Sequence, residues 1–270
     1  MVCTTTWKIR KMRTLISSAL LALLATTASA EDLRIGTSAD YPPWEAVDAN
    51  NEIFGFDRDI GDEICKRIAA TCTWQNQSFD GLLPGLQVGR FDVIISGISI
   101  NEERSKSVDF SAPYADAPNS FIVLADNPAA AAKSKEDLIA ALSSGVIGAQ
   151  GGTTHEQVIR AHFANANVRL YERPDQVMSD ILSGRIDAGV MERSAAEPLM
   201  DSEKGGVLVY AGPKLTGVDF EEFGKGQAVA LAKGNTVLQN RVNDAVAEML
   251  KDGTIKTISE KWFGYDQSPK

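Results

Sequence analysis

The residues best suited to bind a small molecule lie within one short segment in the first half of the chain. Small residues at Ser96, Gly97 and Ser99 leave the backbone accessible, and Asn101 is a favourable N-cap for a short helix. Arg104 follows about one helical turn later. A guanidinium beside the free backbone N–H groups of a helix start predicts a carboxylate site. By itself, Arg104 in this charged stretch is also compatible with an ordinary surface arginine.

The elements that must position this segment alternate between strand and helix. Leu33–Thr37, Thr71–Gln75 and Phe91–Ile95 have the character of strands, whereas Asp57–Ala69 carries isoleucines every four residues along one helical face. A further helix is predicted to start at Phe79. Such β-α-β alternation predicts a parallel sheet flanked by helices.

The second half of the chain echoes the first. In each half a Gly-Arg pair precedes an aspartate-containing strand, and these strands end at Ser96 and at Glu192. We therefore predict two similar α/β lobes. The further predicted elements are strands at Phe121–Leu124, Gly145–Ala149, Val168–Tyr171, Ile186–Val190 and Gln227–Leu231, helices that start at Ser134 and Thr153, a helix at Pro174–Ser183, and two helices within Thr236–Phe263.

Residues 1–30 have the pattern of a cleaved signal peptide. Basic residues precede the apolar run Leu15–Leu24, which is too short to span a bilayer, and Ala28–Ala30 forms an A-x-A cleavage site. Met12 is an alternative start, because Met12–Ala30 already makes a complete signal peptide. We expect export to the periplasm.

The charge of the remaining chain is strongly negative. Loss of the four basic residues of the leader changes the net charge from −9 to −13. This balance argues against binding to nucleic acid or to an anionic membrane surface. The sequence contains no G-x-S-x-G, H-E-x-x-H or P-loop motif, so we predict no cofactor. We also expect a monomer.

Cys65 and Cys72 are the cysteines that follow the predicted leader. In an oxidising compartment they would form a disulfide, and the alternative is two buried free thiols. A metal site would need further ligands nearby, and the chain has only His155 and His162 as histidines. We predict no metal site.

The chain resembles the family-3 extracellular solute-binding proteins, the amino-acid-binding components of ABC importers. The most specific match is Gly55–Ile68, which departs from the family signature at Arg58. Further matches, in the order expected of the family, are Ala39–Glu45, Ser96–Arg104, Gln150–Thr154, Ser183–Ala188 and Asp252–Phe263.

The resemblance implies a two-lobe periplasmic-binding-protein (Venus flytrap) fold with two crossings between the lobes. Residues 31–117 would form the first part of lobe 1, residues 118–218 lobe 2, and residues 219–270 the return to lobe 1 with the C-terminal helices. The spacing of Cys65 and Cys72 also resembles a disulfide in the basic-amino-acid branch of the family. The implied partners are an amino acid or a derivative of one and a membrane permease.

The resemblance also assigns roles in binding. Arg104 would pair with the ligand's α-carboxylate, and Glu192, where the family more often has aspartate, would hold the α-ammonium. Tyr41 and Phe79 would sandwich the ligand's side chain, although aromatic residues so placed are also compatible with plain core. The full predicted set is Ser38, Tyr41, Phe79, Ser96, Gly97, Ser99, Arg104, Gln150, Thr153, Thr154, His155 and Glu192.

Ser38 departs from the acidic residue that is common in binders of basic amino acids. A serine cannot neutralise a buried cation. Asp40 lies two residues later, where we expect the backbone to direct it elsewhere. With neutral hydrogen bonds from His155 and Gln150, the pocket is predicted to accept a neutral polar amino acid or a conjugate such as an opine.

Two other functions are compatible with the sequence. Cyclohexadienyl dehydratases resemble these binding proteins and use a carboxylate in the cleft as a general acid, a role that Glu192 could fill. The chain could also be a sensory ligand-binding module, although it lacks the membrane helix to which such modules are usually tethered.

Overall fold

The computed structural model describes residue 1 and residues 31–116, 118–202 and 206–269. Apart from residue 1, the predicted signal peptide lies outside these residues. The strands are β1 (Glu31–Thr37), β2 (Asp40–Tyr41), β3 (Glu45–Val47), β4 (Ile53–Phe54), β5 (Ala70–Asn76), β6 (Val93–Ile94), β7 (Val108–Phe110), β8 (Asn119–Leu124), β9 (Val146–Gln150), β10 (Asn167–Tyr171), β11 (Ala188–Glu192), β12 (Leu208–Leu215) and β13 (Ala230–Ala232). The helices are α1 (Phe56–Arg67), α2 (Leu82–Gln87), α3 (Glu102–Ser105), α4 (Lys135–Leu142), α5 (Thr154–His162), α6 (Pro174–Leu182), α7 (Arg193–Ser202), α8 (Thr236–Lys251) and α9 (Thr254–Phe263).

Two five-stranded sheets form the centres of two lobes. The first has the order β5-β1-β6-β13-β7 and the second β10-β9-β11-β8-β12. The strands β1, β5 and β6 are parallel, and so are β9, β10 and β11, as the β-α-β alternation predicts. The later strands β13 and β8 pair antiparallel with their neighbours. The predicted two-lobe α/β class is confirmed.

The chain passes between the lobes twice. It leaves the first sheet after β7 to enter β8, and it returns from β12 to β13. The two connections lie side by side, because the Tyr114 N–H donates to the Gln227 carbonyl (2.8 Å) and the Gln227 N–H donates to the Ala115 carbonyl (2.8 Å). Two antiparallel connections of this kind form a natural hinge.

Helix α1 attaches the C-terminal helices to the first lobe. Its predicted apolar face, with Ile60 and Ile64, is buried together with Val242 and Met249 of α8 and Ile255 of α9. The last residues of the chain therefore complete the core of the lobe that the first residues begin. The exact lobe boundaries at 117/118 and 218/219 stay a prediction.

A disulfide joins Cys65, in the last turns of α1, to Cys72 in β5, with 6.2 Å between their Cα atoms. This result confirms the predicted disulfide and excludes the free-thiol alternative. In the described part of the chain, helices are too short or too polar to cross a membrane. The same residues contain no cluster of three or more potential metal ligands.

Candidate functional site

One cavity between the lobes is lined by every residue that was predicted to bind ligand. These residues come from the ends of β1, β6, β9 and β11 and from the segments that follow these strands and β5, so both sheets contribute to the walls of the cavity. Beside the predicted set, the cavity is lined by Asp40, Glu45, Pro174, Val177, Val190 and Met191. The structure thus brings together side chains that are far apart in the sequence, as the contact between Tyr41 and Glu192, 151 positions apart, shows.

Arg104 is a buried cation that forms no ion pair with a carboxylate of the described residues. Asn101 caps α3 by accepting a hydrogen bond from the Arg104 N–H (2.9 Å), which fixes the start of the helix as predicted. The side chain, 4% exposed, donates from Nη1 to the Ser99 carbonyl (3.0 Å) and from Nη2 to the Gly152 carbonyl of the other lobe (3.2 Å). Its Nε has no acceptor among the described residues. Burial lowers the pKa of Arg104 to about 10, so it stays charged at neutral pH.

The two aromatic residues of the cavity wall, Phe79 and Tyr41, make different contacts. The Arg104 guanidinium carbon lies 5.7 Å from the centroid of the Phe79 ring, so Phe79 supports the cation. Tyr41 instead reaches across the cleft, where its hydroxyl donates to Glu192 Oε2 and accepts from the Glu192 N–H (3.1 Å). Burial and the neighbouring carboxylate raise the pKa of Tyr41 well above its usual range.

Glu192 is the last residue of β11 and is buried in the cavity wall. His155 Nε2 lies 3.4 Å from Glu192 Oε2 and 2.8 Å from Asn119 Oδ1. Burial lowers the pKa of His155, which keeps the imidazole neutral near pH 7. Among the described residues, no lysine or arginine forms an ion pair with Glu192, so its carboxyl group can accept a further hydrogen bond from a ligand.

The serines at the end of the first sheet are linked to a buried carboxyl group. The Ser38 N–H donates to Ser96 Oγ (2.9 Å), and the Ser96 hydroxyl donates to Glu45 Oε1 (2.7 Å). The next residue, Gly97, donates its N–H to Asp57, which also accepts from the Tyr114 hydroxyl. These bonds fix the backbone of residues 96–97 at the floor of the cavity.

The expectation that Asp40 is directed elsewhere is wrong. Asp40 lines the cavity and accepts a hydrogen bond from the Ser38 hydroxyl (3.1 Å). The Asp40 N–H also bonds to the Ser38 carbonyl (2.8 Å), so the chain turns tightly and places both side chains on the same wall. Burial raises the pKa of Asp40.

The wall from the second lobe is built around the start of α5. Thr153 caps this helix through the Glu156 N–H (3.3 Å), and its hydroxyl donates to the Gln150 carbonyl (2.7 Å). The Gln150 side-chain amide donates to the Glu172 carbonyl (2.9 Å). Thr154 begins the helix and is buried beside the cavity. The helix start therefore presents backbone N–H groups to the same space as Arg104.

The arrangement is suited to hold a zwitterionic head group between two lobes. A carboxylate can meet Arg104 and the start of α5, and an ammonium can meet Glu192. A family model for bacterial extracellular solute-binding proteins, family 3, matches residues 33–265. The chain belongs to this family. The resemblance seen in the sequence motifs is thereby confirmed.

Relatives of this family 3 solute-binding protein cover nearly its whole length. The "Putative ABC transporter arginine-binding protein 2" of Escherichia coli (strain K12) is 38% identical over 93% of this chain and 99% of its own. A solved structure titled "An ancestral arginine-binding protein bound to glutamine" has a TM-score of 0.76 and 33% identity, covering 87% of this chain and 99% of that one. An ancestral amino-acid-binding protein described as a precursor of cyclohexadienyl dehydratase has a TM-score of 0.74 and 34% identity, covering 86% and 95%.

Sequence reasoning missed several polar residues of this solute-binding protein's site. Asn119, which contacts His155, lies opposite Glu192 in the antiparallel pairing of β8 and β11. The pairing of β8 with β11 joins segments that are far apart in the sequence, so no local pattern predicts that Asn119 lies near the site. Glu45 and Asp57 lie within the family motifs, and an acidic residue directly after an aromatic one, Trp44 or Phe56, was the signal that could have been followed.

Proposed function

We propose that this protein is a periplasmic solute-binding protein that captures an α-amino acid and delivers it to the membrane permease of an ABC importer. In this proposal residues 1–30 are removed on export. A monomer then closes the lobe of residues 31–117 and 219–270 on the lobe of residues 118–218. The observation that carries the proposal is the Arg104 guanidinium, which is buried between the lobes and has no carboxylate partner in the part of the chain that the structure describes.

A ligand carboxylate would compensate this charge. Burying a cation costs several kcal/mol unless it is paired, and two carbonyl contacts supply only part of that compensation. A bidentate carboxylate on Arg104 would supply the rest and would also reach the start of α5. Because Arg104 already contacts Gly152 of the second lobe, a carboxylate bound here gains its full set of contacts only when the lobes are closed.

The ligand's α-ammonium would bind Glu192. The Tyr41 hydroxyl now contacts this carboxylate, and an ammonium can replace or join it. The neutral His155 and the Gly97 carbonyl complete a polar surface around that group. The remaining polar residues would position the ligand by fixing the backbone of the cavity wall. These residues are Ser96, Ser99, Gln150, Thr153 and Thr154.

The charge of the cavity bears on the side chain of the ligand. Ser38 alone favours a neutral polar amino acid or an opine. However, Asp40 and Glu45 also line the cavity, so three carboxyl groups including Glu192 face one guanidinium. This excess of acidic groups, together with the arginine-binding relative, favours an amino acid with a cationic side chain. Neutral polar amino acids and opines are the competing class.

The test is ligand binding by calorimetry to refolded, ligand-free protein. The panel contains L-arginine, L-lysine, L-histidine, L-glutamine and an opine. Micromolar binding, about −8 kcal/mol, is expected for at least one L-amino acid. Arg104→Ala should weaken it by 100-fold or more, since a charged bidentate contact is lost, whereas Arg160→Ala on the exposed side of α5 should leave it unchanged. Equal affinity in the two variants would refute the carboxylate assignment.

A dehydratase activity is the second candidate. A buried carboxyl in the cleft, Glu192, and the structural neighbour described as a dehydratase precursor favour it. Incubation with prephenate or arogenate distinguishes the two functions. Product formation that Glu192→Gln abolishes would establish the enzyme, and binding of an intact amino acid without turnover would exclude it.

A further inference from the structure

Two carboxyl groups lie together beneath the floor of the cavity. Glu45 is 1% exposed and Asp57 is completely buried. The two side chains bond to adjacent residues, since Ser96 donates to Glu45 and the Gly97 N–H donates to Asp57. The Asp57 N–H also bonds to the carbonyl of the residue before Glu45 (2.8 Å). The pair is therefore held by the same backbone that forms the ligand site.

Within the described residues, this pair has no compensating cation. None of the described lysine, arginine or histidine side chains forms an ion pair with Glu45 or Asp57. The titratable groups that face them are Asp40 and Tyr41 on the segment before β3, Tyr114 on the first crossing and Glu192 on β11. All of these are acids or phenols, and two ionised carboxylates in such surroundings would repel each other strongly.

The two carboxyl oxygens of Glu45 differ in their hydrogen bonding. Oε1 accepts a hydrogen bond from Ser96, whereas Oε2 is buried without a donor among the described residues, and Glu45 lines the cavity. A buried carboxyl oxygen without a donor is costly unless it carries a proton or meets a ligand.

We propose that Glu45 and Asp57 share one proton beneath the cavity, and that a ligand with a cationic side chain displaces this proton to solvent when it binds. The inference rests on the proposed amino-acid-binding function. The ligand's cation stays protonated, Glu45 loses its proton to the buffer, and the resulting carboxylate pairs with the cation. Burial and the neighbouring Asp57 raise the pKa of Glu45 well above its usual range, and burial raises that of Asp57 to about 7.

Calorimetry in buffers of different ionisation enthalpy tests the inference. At pH 7, L-arginine binding to wild type should release about one proton, and affinity should rise up to tenfold per pH unit between pH 6 and 8. L-Glutamine should release none. Glu45→Gln should abolish the release for L-arginine, whereas Glu103→Gln, an exposed glutamate paired with Lys106, should retain it. Asp57→Asn should reduce it, because the charge of Asp57 no longer raises the pKa of Glu45 and the amide can donate a hydrogen bond to the ionised carboxylate.

Infrared spectroscopy provides a readout that does not need a ligand. The C=O band of a protonated, buried carboxylic acid should be present in wild type at pH 7 and absent in the double variant Glu45→Gln, Asp57→Asn. Amino-acid binding without proton release, or an identical release in Glu45→Gln, would overturn the shared proton and leave the proposed function intact. If no amino acid binds, the proposed function fails, and absence of the infrared band would then refute the shared proton independently.

Discussion

The buried pair of Glu45 and Asp57 should make the protein less stable as the pH rises above neutral. A carboxyl whose pKa is raised by folding binds its proton more tightly in the native state than in the unfolded state. The native state then holds more protons between the two pKa values, so the free energy of unfolding falls as pH rises through that window. For Glu45 the window extends from its ordinary pKa of 4.5 to a value well above it.

The range from pH 7 to 8.5 isolates this effect. His155 is neutral in both states there, since burial lowers its pKa from 6.5. Carboxylates with lowered pKa values are ionised in both states, such as Asp92, which accepts from Arg34, and Asp252, which accepts from Thr254 and Arg67. One excess proton changes the free energy of unfolding by about 1.4 kcal/mol per pH unit, so the raised pKa of Glu45 should cost at most about 2 kcal/mol over this range.

Urea unfolding at pH 7 and pH 8.5 measures the loss. Glu45→Gln should remove most of the pH dependence, because a neutral amide replaces the protonated acid, and Glu103→Gln should retain the wild-type dependence. The refuting result is a wild-type free energy of unfolding that is constant or increases from pH 7 to 8.5. An unchanged slope in Glu45→Gln would assign the effect to other groups.

Two further predictions concern the disulfide and the cleft. Replacing Cys65 and Cys72 together by serine should lower the free energy of unfolding by about 2–3 kcal/mol, because the disulfide closes a short loop between α1 and β5. Urea unfolding under oxidising and reducing conditions measures this loss of stability. A wild-type protein equally stable with and without reductant would contradict this. Tyr41→Phe should remove the hydroxyl that meets both the side chain and the N–H of Glu192, which weakens contact between the lobes by about 1–3 kcal/mol. Small-angle scattering without ligand should then show a larger radius of gyration, and an unchanged radius would mean that this bond does not hold the lobes together.

The periodic elements of the fold were readable from the sequence. The isoleucine spacing in α1 and the caps Asn101, Ser134 and Thr153 depend on residues within a few positions of each other, and the structure has each of them. No element was assigned to residues 193–215, where α7 and β12 lie. Pro198 interrupts the helical pattern of α7, and Gly212 with its following proline does the same for β12.

The site was readable only in part. Every predicted binding residue lines the cavity, because the family motifs place them at the ends of strands, but their roles in binding stay a prediction. The direction of individual side chains was harder to predict. Asp40 faces the cavity because its N–H bonds to the Ser38 carbonyl, and no sequence pattern indicates this turn. Contacts between the lobes, such as that of Tyr41 with Glu192, depend on the relative orientation of the two lobes, which sequence patterns do not indicate.

These contacts between lobes constrain how a ligand could drive closure. Trp44 Nε1 donates to Ser194 Oγ (3.0 Å) and Tyr41 binds Glu192, so the end of β11 is already held against the first lobe by protein groups. An ammonium that replaces Tyr41 on Glu192 exchanges one interaction for another and shifts the equilibrium little. Arg104 pairs with no carboxylate among residues 31–116, 118–202 and 206–269, so the carboxylate end of the ligand should supply most of the free energy that favours the closed state. An amine that lacks the carboxylate should therefore bind weakly without closing the lobes, even with its cationic groups intact.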